Sequence, residues 1–556
     1  MLFISAGMGS LLFFFGKFKK LNAPFLISAG LFFQLILTLV WSFFWAVDLS
    51  FYLINSMIAF GLIYRFKSKL SEVFNHSIRM FKNWQLTLKI LYGFIFICAL
   101  IQSSVSPYLP DNESYYVQTI KWLNEYGLVK GLANFHLFFS QTSGWHLLQA
   151  GFNFGFLNDF LNDINGFYLI VISFFSFNRL NHYFENKNPN DLFAGLIFIF
   201  SLFLFRFLDA PSPDLPVFLL FPVMVWVFIE GYENPEKENI ILLLIFGLLL
   251  TLIKITSFPV LILAFVLILK YHDFKKLIPT VIFLSTISFT VFCIRNYIIS
   301  GYLLNPTNLF GTFLNPDWQV PENLQQLYYN YTSFHAFNSP PEDYNNFFEW
   351  TFSEKFNRWF FSPKLHGLFN KLIIVLLVVF PLFIRKRKAL FWVYITGLIQ
   401  FLLLYYTSPQ YRFFFHIILV FSLIILVRIF RGIKFKGINT LMIISIFPVI
   451  FPLIYPIGFE FLTNNNFMKN QSKVFELNYL IKPHKNSQYF YEYEEITDGN
   501  LKYNSPKATY MWMTGDGELP VANKIMINFI KKAEKTKPQL RTTNLKDGFK
   551  SVKKEE

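Results

Sequence analysis

The chain has 556 residues, of which 54% are hydrophobic, 21% aromatic and only 15% charged, against roughly 25% charged residues in a soluble domain. Its apolar runs recur at the length needed to cross a hydrocarbon core of about 30 Å, which excludes an ordinary soluble enzyme, and they are continuous, which excludes the alternating segments of a β-barrel. The formal charge of +15 does not point to nucleic acid, because the basic residues sit in short loops between apolar runs, as the positive-inside pattern requires.

The expected architecture is an all-α polytopic transmembrane helical bundle of about 13–14 spans, with exoplasmic loops and a small C-terminal α+β appendage. The first run, LFISAGMGSLLFFFG, ends in basic residues and reads as a first span or anchor with no cleavable signal peptide. Spans are expected near 2–16, 24–45, 50–64, 87–104, 164–178, 191–208, 215–230, 239–253, 256–270, 277–294, 371–384, 390–406, 411–427 and 438–455. The basic stretches Lys17 to Lys20, Arg65 to Lys89, Lys270 to Lys276, Arg385 to Lys388 and Arg428 to Lys436 are expected on the cytoplasmic side. Residues 144–157, GWHLLQAGFNFGFL, are apolar enough to cross but carry Trp145, His146, Gln149 and Asn153. They are expected as an interfacial or half-inserted helix.

Three units follow from this alternation. Residues 1–86 hold the N-terminal spans and a basic cytoplasmic loop. Residues 87–456 hold a transmembrane core with exoplasmic loops 105–160 and 295–370. Residues 457–556 form a C-terminal exoplasmic domain of short strands, a helix after Pro520 and a frayed tail, LKDGFKSVKKEE. Cys98 and Cys293 both lie in apolar runs and read as small core residues, not as a disulfide or metal pair.

The chemistry-bearing residues collect on the non-cytoplasmic side. In SPYLPDNESYY, Asp111 and Glu113 stand at the top of a span beside Tyr115 and Tyr116. Opposing the positive end of a helix accounts for one acid; two acids beside two tyrosines point to a catalytic pair. Asp214, in DAPSPDLP, reads either as a helix cap or as a site carboxylate, since ionisable groups at membrane depth are costly unless paired or used. Lys254 interrupts LLLTLIKITSFP and either snorkels or faces an anionic ligand. Arg295 and Arg412 stand where spans meet the outer surface, and the planar fork of arginine matches phosphate oxygens. His136 and His146 read as site-lining or structural residues, because neither belongs to a HExxH or CxxC pattern.

These residues resemble the GT-C superfamily of membrane glycosyltransferases, which includes protein O-mannosyltransferases, oligosaccharyltransferases and lipid A aminoarabinose transferases. That family carries an acid in a first large exoplasmic loop directly after a span, a second acid in a later exoplasmic turn, and often a small C-terminal domain. Asp111, with Glu113, stands where the first acid is expected, and Asp214 in SPDLP stands where the second is. The stretches RNYIISGYLLNP and SPQYRF are similar to segments of bacterial members, and the resemblance covers roughly 87–456. The chain departs from the pattern in reading Asp-Asn-Glu and in placing three extra spans before the one that leads into the acidic loop.

The resemblance implies an enzyme that moves a sugar from a polyprenyl-phosphate donor to a glycan, lipid or protein acceptor at the outer face of the bacterial cytoplasmic membrane. Asp111 is then the general base, and Glu113 or Asp214 orients the acceptor or holds a divalent metal ion, which is optional in that family; no other cofactor is implied. Lys254, Arg295 and Arg412 hold the departing phosphate. The implied partners are the lipid-linked donor, the acceptor and membrane lipids, with no nucleic acid. Two alternatives share the topology: an O-antigen-type polymerase or ligase, and a transporter or flippase of lipid-linked precursors.

Overall fold

The computed structural model describes residues 1–18, 21–157, 160–161, 164–307, 314–337, 339, 341–344, 346–384, 387–430, 435–455 and 475–553. Among these, eight helices are long and apolar enough to cross a membrane: Ala23–Ser42, Leu86–Ser104, Asp214–Glu233, Ile278–Ser300, Lys364–Phe383, Lys388–Thr407, Tyr411–Phe430 and Lys436–Ile454. A ninth arises if Leu49–Arg65 and Lys67–Lys82, bent by 85°, are taken as one.

The count falls short of 13–14 because several apolar runs do not fold as continuous helices. Residues 2–16 form the short helix Leu2–Gly9 and a 3-10 turn, Ser10–Phe14. The run 191–208 is divided among Pro189–Gly195, Ile197–Phe200 and Ser201–Phe205. The run 256–270 opens with the 3-10 segment Ile255–Val260, which contains Pro259, before the helix Leu261–Lys270; proline has no N–H to continue a helical ladder. Lys237–Ile253 is helical but only 17 residues long.

The N-terminal helices are built into the bundle. Leu2–Gly9 crosses Ala23–Ser42 so closely that a Cβ on Gly30 would lie 1.8 Å from the Ser5 carbonyl oxygen, the close backbone approach that small residues permit between apolar helices. Ala23–Ser42 in turn packs on Gly144–Phe152, Lys237–Ile253 and Ile278–Ser300. The helix Gly144–Phe152 differs from the interfacial element expected, since all nine of its residues are buried. At 1.5 Å per residue it spans about 14 Å, too short to cross. Ser143 caps it, accepting from the Trp145 amide at 3.0 Å and donating to the Ile253 carbonyl at 2.6 Å.

The α+β appendage forms as expected. Strands β1 (Tyr493–Asp498) and β2 (Leu501–Pro506) pair antiparallel, the helix Lys524–Ala533 follows Pro520, and β3 (Thr536–Leu540) pairs antiparallel with β4 (Phe549–Lys553). The expected frayed tail is instead ordered through Lys553. Phe549 is fully buried, stacks on Phe135 at 4.8 Å, meets Trp122 edge-on at 5.7 Å, and donates its amide to the Lys130 carbonyl at 2.9 Å. Apolar burial against the loop after Leu86–Ser104 outweighs the charge of the surrounding lysines. Residues 456–474 and 554–556 lie outside the described residues.

Both large loops meet this appendage. Trp512 stacks on Phe138 at 4.5 Å and lies 5.5 Å from Tyr331, while Lys121 pairs with Asp516 at 2.7 Å and Arg541 grips Asp317 at 2.8 and 2.9 Å. The partly exposed ion pairs contribute little, of order 0–1 kcal/mol each; the aromatic contacts carry the docking.

Candidate functional site

The site is assembled by buried polar clamps. Asn165, near the start of Ile164–Asn186, donates to the carbonyls of Phe207 and Ala210 at 2.6 and 2.7 Å and accepts from the Trp145 indole at 2.5 Å. This fixes the turn 207–213. In that turn Asp209, 2% exposed, accepts from the Tyr108 amide at 2.9 Å, which ties the chain entering Asp111 to the chain entering Asp214. Burial pushes the Asp209 carboxyl up to about 7, against the lowering effect of the Tyr108 amide and Arg206.

Asp214 opens the helix Asp214–Glu233, Lys254 directly follows Lys237–Ile253, and Arg412 lies in the 3-10 segment Tyr411–Phe414. These ends meet Asp111. Lys254 Nζ is 2.6 Å from Asp214 Oδ1, Arg412 Nε is 3.7 Å from Asp214 Oδ2, and Arg412 Nη2 is 2.7 Å from Asp111 Oδ2. The Phe413 ring supports both cations, with Lys254 Nζ at 3.4 Å and Arg412 Cζ at 5.1 Å from its centroid, within cation–π range. Two acids and two bases thus form one chain of alternating charge.

Exposure grades along this chain. The Asp214 side chain is 3% exposed, whereas Lys254, Arg412 and Asp111 lie between 21% and 24%. A deep carboxylate therefore anchors two cations, and a second carboxylate stands at the mouth. Tyr116 places its hydroxyl 3.5 Å from Asp111 Oδ2, a long contact. Beneath Lys254 lies a cavity of about 10 Å³, lined in part by Asp214, Ser257, Gln400 and His416, enough for about one water. Gln400 and His416 come from inside apolar helices and escape the sequence analysis; their polarity within a span is the signal that marks them.

Other expected site residues lie elsewhere. Glu113 does not join Asp111: residues 112–116 form a π-helical turn, and positions two apart on a helix do not share a face. Its carboxylate, 2% exposed, accepts from Ser487 Oγ at 2.6 Å and the Gln488 amide at 2.9 Å. Its carbonyl accepts from the amides of Thr514 and Gly515 at 2.9 and 2.8 Å. Burial pushes this carboxyl up to about 7, and those hydrogen bonds only partly oppose it. Glu113 holds the C-terminal domain.

Arg295 is also apart. It is buried, donates to Asn296 Oδ1 and the Leu252 carbonyl, lies over Phe292, and forms no ion pair among the described residues. His146 sits behind the site with its ring 4.8 Å from that of Tyr116, and His136 packs among Phe138, Phe139 and Trp512. Burial lowers both imidazoles to about 3, so both are neutral.

The donor set does not fit a divalent ion. Cations already face both oxygens of Asp214 and Oδ2 of Asp111, and among the described residues no group of three or more His, Cys, Asp or Glu side chains converges.

The family described as "Domain of unknown function (DUF8201)" matches residues 1–419. The chain belongs to this family. The DUF8201 match contains all four residues of the acid–cation chain and ends before the C-terminal domain. Nothing among the curated proteins or the solved structures matches the chain.

Proposed function

We propose that the chain is a membrane glycosyltransferase of GT-C type, transferring a sugar from a polyprenyl-phosphate donor to an acceptor at the extracytoplasmic face of the bacterial cytoplasmic membrane. The observation that carries this reading is the meeting of Asp111, Asp214, Lys254 and Arg412, drawn from four segments, at one end of an apolar helical bundle. Basic residues at the other helix ends, among them Arg65, Lys270, Lys388 and Arg428, support this orientation.

In this reading Asp111 removes the proton of the acceptor hydroxyl as its oxygen attacks the anomeric carbon. The glycosidic bond breaks, and its electron pair leaves on the lipid phosphate. Lys254 and Arg412 stabilise that charge in a partly desolvated site. Arg412 has a double use: as it turns to the phosphate it releases Asp111, so donor binding activates the base. Asp214 holds both cations in place and does not react.

The test uses the full chain in proteoliposomes with undecaprenyl-phosphate-linked hexoses and a cell-envelope glycan fraction, reading release of undecaprenyl phosphate. Asp111→Asn is expected to lower release at least about 100-fold, the scale of a lost general base. Equal release by wild type and variant overturns the assignment. Build-up of unused donor on the inner leaflet of a deletion strain favours transport instead.

A further inference from the structure

A second recess lies far from the acid–cation chain. It is formed by Pro189–Gly195, the end of Asp214–Glu233, the start of Lys388–Thr407 and the end of Phe415–Phe430. Ile229 in its wall is 15 residues (229 − 214) beyond Asp214 on the same helix, about 22 Å along the axis. Phe193, Leu390 and Val427 supply further apolar wall, and Arg387 and Arg428 stand in its lining, both on exposed positions.

The enclosed volume is about 30 Å³, room for about one or two waters, so the recess is a shallow apolar floor under a cationic mouth. Glu230 and Asp191 border the recess. Glu230 accepts from Asn190 Nδ2 at 2.6 Å, and Asp191 is held by Arg179 at 3.4 Å and Asn186 at 3.1 Å. Asn190 leaves the charge of Glu230 in place, but the segments that carry the two arginines, RKRK (385–388) and VRIFRGIKFK (427–436), hold eight Lys and Arg and no acid, so the charge around the mouth is net positive. Two guanidinium forks match phosphate oxygens, while the apolar wall below them has no use for a free phosphate ion but suits an acyl chain. Basic pockets between membrane helices are where anionic headgroups bind.

We propose that this recess binds an anionic phospholipid of the leaflet opposite the acid–cation chain, its headgroup phosphate held by Arg387 and Arg428 and its upper acyl chain lying on Leu390 and Val427. The proposal rests on the membrane-embedded reading of the bundle and not on sugar transfer, so failure of the transferase assay leaves it standing.

The experiment delipidates the full chain in detergent and titrates it with phosphatidylglycerol, phosphatidylcholine or sodium phosphate, counting bound lipid by native mass spectrometry. Wild type is expected to retain phosphatidylglycerol in preference to phosphatidylcholine. Arg387→Gln/Arg428→Gln is expected to weaken it about twenty-five-fold, since each surface cation contributes roughly fivefold. Val427→Trp, which fills the floor and keeps both charges, is expected to weaken it as well, whereas Lys67→Gln/Lys275→Gln leaves it unchanged. Equal loss in that last variant shows diffuse charge and overturns the site. Full retention by Val427→Trp, or full competition by sodium phosphate, overturns the lipid assignment.

Discussion

Arg412 lies 2.7 Å from Asp111 through Nη2, although 301 positions (412 − 111) separate them. The same guanidinium reaches Asp214 at 3.7 Å. One planar fork therefore links the carboxylate at the mouth to the carboxylate at the base, a geometry that a single ammonium does not reproduce.

Stability and activity should separate at this pair. Arg412→Ala leaves Asp214 with one cation in place of two and Asp111 unpaired, and is expected to destabilise the chain by about 3 kcal/mol, as breaking a buried pair does. Asp111→Asn removes only a partly exposed charge and is expected to change stability by less than about 1 kcal/mol, while abolishing turnover. Thermal melts of the detergent-solubilised chain, run beside the release assay, check both. A large stability loss in Asp111→Asn would make the acid structural.

Lys254 and Asp214 form the deeper pair, with Asp214 almost fully enclosed. Asp214→Asn alone leaves Lys254 without its carboxylate, and Lys254→Met alone leaves the buried Asp214 only the longer 3.7 Å contact with Arg412, each expected to cost about 3 kcal/mol. The double variant is expected to cost less than the sum by roughly 2 kcal/mol, since contacting residues are not additive. A double-mutant cycle measured by melting tests this, and simple additivity would mean the 2.6 Å contact contributes nothing.

The cluster was legible because Asp111, Asp214, Lys254 and Arg412 each interrupt the edge of an apolar run, where a charge is costly unless used or paired. Glu113 and Arg295 carry the same signal and do other work. Sequence position places a residue at a helix end but does not fix the direction of its side chain, and a π-helical turn at 112–116 is not visible in composition. The span count failed for a related reason: hydropathy does not register the breaks at Pro259 or after Gly195. The tail misled because its lysines hide Phe549, whose partners Trp122 and Phe135 are more than 400 positions away.

Phe549 therefore offers a test of docking. Phe549→Ala removes a fully buried ring from between Phe135 and Trp122 and is expected to weaken the terminal hairpin by about 3 kcal/mol. Hydrogen exchange should rise in β3 and β4, with little change at Arg412. Unchanged protection of the hairpin would show that the Arg541–Asp317 ion pair holds it instead.

Glu113 gives the docking a pH dependence whose sign follows from its burial. The carboxyl titrates near 4.5 when free and near 7 in the fold. Between those values the folded chain binds a proton that the unfolded chain has lost. Stability from this group is thus fully present below about 4.5, declines as pH rises through about 7, and levels off above it, a change of about 3 kcal/mol by linkage. Protonated, Glu113 can donate to Ser487 Oγ and still accept from the Gln488 amide, whereas ionised it faces Asp516 across the same contact. Protection of the amides of Gln488, Thr514 and Gly515 is expected to be higher at about pH 5 than at about pH 8. Glu113→Gln keeps both hydrogen bonds without a titrating group and is expected to flatten that difference. Parallel pH profiles for wild type and Glu113→Gln would place the titration on another group.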